Sequence, residues 1–166
     1  MDTYETPPKG QRIEVTPASS LADEPLTIRL AGFGPHQRGE LTACLEDDAG
    51  RGWGSRAVFT CDEDGAADLS QRKPAGGSYR EADPMGLLWS MSPRDAQDGG
   101  LYVKENTAPT RVTFTAEVDG ATAAAREIER MYLAPGVKRI AVDEDGIVGT
   151  YFKPAGAKPH PALMVV

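Results

Sequence analysis

The feature that most constrains this fold is a run of alternating residues, Arg111–Val118, which puts Val112, Phe114, Ala116 and Val118 on one face. A period of two belongs to a half-buried strand and is incompatible with a helix face. The same alternation marks Leu26–Leu30 and Glu40–Glu46. Turn signals follow each run: Gly32, Gly34 and Pro35; Asp47–Gly50; Asp62–Gly65; Asp119 and Gly120. Eighteen Gly and 13 Pro in 166 residues imply many turns and argue against long helices. Short strands separated by turns every 8–12 residues or so predict an all-β sandwich.

Other strands are predicted at Ile13–Val15, from Trp53 or Ser55 to Cys61, and at Ala66–Leu69. Residues Thr122–Tyr132 include a helix-favouring stretch, Ala123–Arg130. They are nonetheless assigned to a strand, because they return from an Asp-Gly turn with Ile128, Met131 and Tyr132 apolar. Pro84–Met91 is compact and apolar, and its periodicity fixes no type. Residues 92–100 read as a polar linker. The expected core includes Leu30, Leu45, Val58, Phe59, Trp89, Val112 and Phe114; Val58 and Phe59, being neighbours, cannot both point inward.

Composition sets the outer limits. A net charge of −7 disfavours general binding to nucleic acid, although a local Arg cluster could still hold an anion. Residues 1–11 are polar and Pro-rich and read as a flexible leader without a signal-peptide core. No run of 18 apolar residues exists, so no membrane span is expected and the placement is read as cytoplasmic. The two cysteines, Cys44 and Cys61, form no disulfide framework. On the arms of one hairpin they would be offset by about four residues, roughly 13 Å, so both are expected to be free thiols.

Chemistry is sparse. The nearest approach to a nucleophile elbow is Gly76–Arg80, which lacks the second Gly. Ser78 and Ser90 therefore read as structural hydroxyls, and His36 and His160, both beside prolines, as surface groups. No catalytic residue, metal ligand set or cofactor is assigned. The turns Asp62–Gly65 and Asp143–Gly146 lack the further ligands of a calcium loop and read as turn chemistry. Met85, Leu87, Leu88, Trp89 and Met91 could line an acyl-binding surface, or could be core and domain interface. Arg80, Arg94 and Arg111 could meet phosphates, or could be solvated surface charges.

One ordered set is more specific: Trp53 with Ser55; the acidic turn ending at Gly65; Gly77, Ser78 and Tyr79; then Asp83, Pro84, Met85, Gly86, Leu87 and Trp89. It resembles the N-terminal region of the acyl-CoA thioester hydrolase and bile acid-CoA:amino acid N-acyltransferase family. Glu129–Val137 and Val148–Pro154 are similar to that family's domain junction and first hydrolase hairpin. Gly54, between Trp53 and Ser55, departs from the pattern and is read as a bulge marker. The resemblance implies an immunoglobulin-like β-sandwich at 12–134. It further implies that 135–166 is the opening hairpin and strand of an α/β-hydrolase domain, truncated here, with Ala162–Val166 as a buried strand. The hydrolase domain of that family carries a nucleophile, an acid and a His, and cleaves acyl-CoA thioesters; a transferase branch passes the acyl group to glycine or taurine. On this reading the chain is a non-catalytic domain that meets acyl-CoA only through the missing part. Without the rest of that sheet the final strand would present an apolar edge, so it is expected to be loosely held, docked on the sandwich, or paired with another chain in self-association. The alternative from another class is a stand-alone sandwich that binds a protein or carbohydrate.

Overall fold

The computed structural model describes residues 10–95, 100–156 and 158–165. The chain divides into two compact units, residues 1–131 and 132–166.

The first unit is a β-sandwich. One sheet holds β1 (Arg12–Thr16), β3 (Thr27–Ala31) and β6 (Ala67–Asp68), in the order β1-β3-β6. The other holds β2 (Ser19–Leu21), β10 (Ala121–Met131), β9 (Thr110–Val118), β4 (Arg38–Glu46), β5 (Gly52–Thr60) and β7 (Gly76–Gly77), in that spatial order. β8 (Ser92–Pro93) also pairs with β5. All pairings in this unit are antiparallel except β2 on β10. A single helical turn, α1 (Gly86–Trp89), interrupts the β structure.

Alternation carries the core. Val112, Phe114 and Ala116 of β9 are buried, with Leu41 and Ala43 of β4 beside them in the sheet. Ile13 and Val15 of β1 and Ile28 and Leu30 of β3 cover them from the opposite sheet. Each large side chain so enclosed contributes about 1.5–3 kcal/mol. Ala121–Met131 is a strand despite its alanines. It leaves a tight Asp-Gly turn in which Asp119 and Gly120 have φ of 52° and 77°, so its backbone is already paired with β9. Pairing with β9 overrides propensity there.

Several sequence expectations are corrected. Trp89 is 63% exposed, because α1 turns Leu87 inward and leaves the indole outside. Leu45 and Val58 are only half-buried. Val58 lies between buried Ala57 and Phe59, and so faces away from the core. Gly54 marks no bulge; it pairs in unbroken register with Cys44. The irregularity lies in β10, between Thr122 and Ala124. Part of the polar linker is ordered, as β8 against Trp53 and Gly54; residues 96–99 lie outside the described set. So do residues 1–9 of the leader.

Both cysteines are free, but their offset was underestimated. Cys44 sits opposite Gly54, seven positions short of Cys61, so the separation along the strand is about 23 Å.

The second unit is a hairpin of β11 (Lys138–Glu144) and β12 (Ile147–Lys153), closed by Asp145 and Gly146 with φ of 52° and 80°. Residues 162–165 form no strand and are exposed, where the resemblance implied a strand that an intact hydrolase domain would cover.

Candidate functional site

The segment from Gly76 to Trp89 is fixed to β5 by a chain of backbone requirements. Gly77 pairs with Ala57 at a φ of 131°, and a Cβ there would collide with the Arg56 carbonyl. The contact is closed on both sides: Ser78 N–H donates to the Arg56 carbonyl at 2.8 Å, and Arg56 N–H donates to Ser78 Oγ at 3.0 Å. Ser78 is therefore occupied as a backbone clamp.

Tyr79 then enters the core and is 3% exposed. Its ring occupies the space a side chain at Gly86 would need, so only glycine lets α1 approach so closely. Among the described residues its hydroxyl has no hydrogen-bond partner. Burial, with the nearby Asp83 carboxylate adding to it, pushes the phenol up to about 12, so it remains a neutral donor.

Asp83 organises the turn that follows. One oxygen, Oδ1, accepts from Met85 N–H at 2.7 Å; the other, Oδ2, accepts from the Trp89 indole N–H at 2.8 Å. Its carbonyl accepts from Gly86 N–H. Pro84 follows in the same turn, half-buried. Met85 sulfur accepts from Leu26 N–H at 3.3 Å, which joins the turn to the entry of β3. Leu87 is fully buried, and its carbonyl accepts from the Ser55 hydroxyl on β5. Leu88 and Met91 pack partly against the core, while Trp89 lies edge-on to Tyr79 at 6.2 Å and faces outward.

Ser55, Gly77–Tyr79 and Asp83–Trp89 thus form one linked structure. Trp53 and Gly65 serve elsewhere. The Trp53 indole N–H donates to Asp47 Oδ2, and its ring meets Tyr102 edge-on. Gly65, with a φ of 72°, lies against the Phe33 carbonyl and accepts from Phe33 N–H.

Among the described residues of the first unit, the remaining candidates do not converge on a reacting centre. Among the described residues, no hydrogen bond joins His36 to a serine. Ser90 Oγ is buried without a partner among the described residues. Arg111 lies near Glu127 and Glu129, and the Arg94 side chain covers Gly52 and Gly54. In the acidic turn, Asp62 Oδ1 accepts from Asp64 and Ala66 N–H, which is turn capping. One anchor was missed from sequence. Arg130 is buried and donates to the Ser20 hydroxyl and to the carbonyls of Ala22 and Glu24. Its signal was parity, since it lies two residues beyond inward-facing Ile128.

What this arrangement presents is a ridge with Trp89 exposed and Leu88 and Met91 half-buried.

Residues 23–144 match the family described as the acyl-CoA thioester hydrolase/BAAT N-terminal region. Human bile acid-CoA:amino acid N-acyltransferase is 34% identical over 162 residues, covering 92% of this chain and 39% of the relative. Mouse peroxisomal succinyl-coenzyme A thioesterase is 36% identical over 152 residues, covering 89% and 36%. Mouse acyl-coenzyme A thioesterase 5 is 35% identical over 150 residues, covering 87% and 35%. The chain therefore spans less than two-fifths of the length of these relatives.

Proposed function

This chain belongs to the acyl-CoA thioester hydrolase/BAAT N-terminal family, and we propose that it is the non-catalytic β-sandwich of an acyl-CoA thioesterase, with residues 135–166 opening the hydrolase sheet. The observation that carries this reading is the uncovered second unit. Ile140, Ile147, Val148, Tyr151 and Phe152 of the hairpin are 40–81% exposed, and Leu163, Met164 and Val165 are 84–91% exposed. A lone two-stranded hairpin is marginal in water, and apolar side chains on both of its faces call for a larger sheet to cover them. The relatives supply that chemistry by name: two are thioesterases acting on coenzyme A thioesters.

In the intact protein, a nucleophile, its base and the oxyanion donors would come from the hydrolase part. The sandwich would hold that part through the hairpin and the Trp89 ridge. The acyl-CoA substrate would be met there, without a cofactor. The alternative is amino acid N-acyl transfer by the same kind of intact protein, supported by the human N-acyltransferase, which matches over as much of the chain as the thioesterases do. A cytoplasmic placement belongs to this proposal; the peroxisomal name of one relative sets its alternative.

A chimaera tests the reading. Residues 12–153 would replace the matching region of mouse acyl-coenzyme A thioesterase 5. A folded chimaera that hydrolyses acyl-CoA, and loses activity when Trp89 becomes Ala, supports it. A folded but inactive chimaera contradicts it. So does saturable acyl-CoA turnover by the present chain that is abolished by Ser78→Ala or Ser90→Ala.

A further inference from the structure

The turn from Asp83 to Trp89 is tied to the entry of β3 by one sulfur atom. Leu26 is 2% exposed, and its N–H donates to Met85 Sδ at 3.3 Å. Among the described residues that sulfur is its one acceptor. Met85 is held from two other directions as well. Its N–H donates to Asp83 Oδ1, and its carbonyl accepts from Leu88 and Trp89 N–H at 2.8 and 3.1 Å. The residue therefore couples β3 to α1, and α1 carries the exposed Trp89. Among the described residues, no other methionine sulfur holds a backbone N–H.

A thioether is a weak acceptor, and it is also open to oxidation. Met85 packs against the core but is half-buried rather than enclosed. With a peroxide, the sulfur lone pair attacks one peroxide oxygen, and the S–O bond forms as the O–O bond breaks. The proton of the transferred oxygen passes to the leaving hydroxide as water. Sulfur loses two electrons and the peroxide gains them. The product cannot keep the present geometry. An oxygen acceptor needs about 2.9 Å of its own from the Leu26 nitrogen. It cannot fit inside an N–H···S contact of 3.3 Å. Either the sulfur retreats and takes the turn with it, or the new oxygen points into apolar surroundings. Both weaken the link, because a polar group buried without a partner is costly.

We propose that Met85 is a peroxide-sensitive pin, whose oxidation to the sulfoxide frees α1 from β3 and displaces Trp89. The inference does not depend on the hydrolase reading. The test treats the full chain with hydrogen peroxide. Peptide mass spectrometry reads the sulfoxide at each methionine, and NMR follows amide hydrogen exchange at Leu26, Leu88 and Trp89. Met164, 84% exposed, should oxidise first and leave these amides unchanged. Conversion of Met85 should speed exchange at all three about tenfold, as expected when a buried donor loses its acceptor. Methionine sulfoxide reductases should restore the slow rates. Met85→Leu keeps the bulk and lacks the sulfur, so each sample is compared with its own untreated state. The variant should exchange at the same rates before and after peroxide. The proposal is overturned if Met85 stays reduced while Met91 and Met131 are converted, or if exchange is unchanged once Met85 is oxidised. It is equally overturned if exchange stays fast after the reductases return Met85 to the thioether, or if Met85→Leu responds to peroxide as the parent does.

Discussion

The Trp89 indole N–H donates to Asp83 Oδ2 at 2.8 Å, and Trp53 makes the same bond to Asp47 Oδ2 at 3.0 Å; in each case the aspartate lies six residues earlier. Both tryptophans of the chain are thus held by the carboxylate of a turn that also accepts backbone N–H groups. In each case the indole acceptor is local in sequence. This arrangement explains how Trp89 can be 63% exposed and still have a defined direction.

Asp83→Ala should destabilise the chain by about 1–2 kcal/mol, through loss of the turn cap and the indole acceptor. Asp83→Asn keeps an acceptor oxygen for one of the two donors and should lose less. Urea denaturation followed by fluorescence measures both, and an unchanged midpoint for Asp83→Ala would remove the tether from the account.

Gly86→Ala places a methyl group within the Tyr79 ring and should cost about 1–3 kcal/mol. The two positions are coupled by contact, so the cost should shrink in a Tyr79→Ala background. A double-mutant cycle by chemical denaturation reads this. Additive penalties would mean that α1 relieves the clash some other way.

Acid should weaken the fold through three turn carboxylates. Asp62 is held below its usual range first by the Ala66 N–H and also by that of Asp64, and Asp48 first by the Asn106 N–H and also by Lys104. Burial pushes Asp47 up, but donors from Arg51, Trp53, Val103 and Ala49 outweigh it and the net shift is downward. A depressed folded pKa means that the unfolded chain binds protons first as pH falls. The stabilisation is therefore complete above about pH 4 and disappears as pH falls through the lower folded values. Thermal melts from pH 6 to roughly pH 2 should show this loss, and Asp62→Asn should flatten part of it.

Cys61 is 1% exposed, and burial, assisted by the Asp62 carboxylate, pushes its thiol up; Cys44 is half-buried. A thiol reagent should therefore label Cys44 well before Cys61 in the native chain, and both quickly in denaturant. Mass spectrometry of the partly labelled chain gives the order, and equal rates would contradict the packing of Cys61.

The sequence by itself determined the strands whose alternation a core must satisfy, such as Arg111–Val118, and the Asp-Gly turns whose positive φ closes β9 to β10 and β11 to β12. It also determined the family, because the residues from Trp53 to Trp89 are of types that few backbones demand in that order. It did not reveal why they are needed. Gly86 is fixed by the Tyr79 ring, Gly77 by the Arg56 carbonyl, and Ser55 by the Leu87 carbonyl, 32 residues away. Nor did alternation identify the exposed side of α1, since one helical turn is too short for a period. Trp89 was expected in the core, whereas its indole N–H is held by Asp83 and its ring lies outside. Which apolar residues meet, and which are left facing outward, is decided by distances between strands remote in sequence, and one-dimensional pattern does not encode those distances.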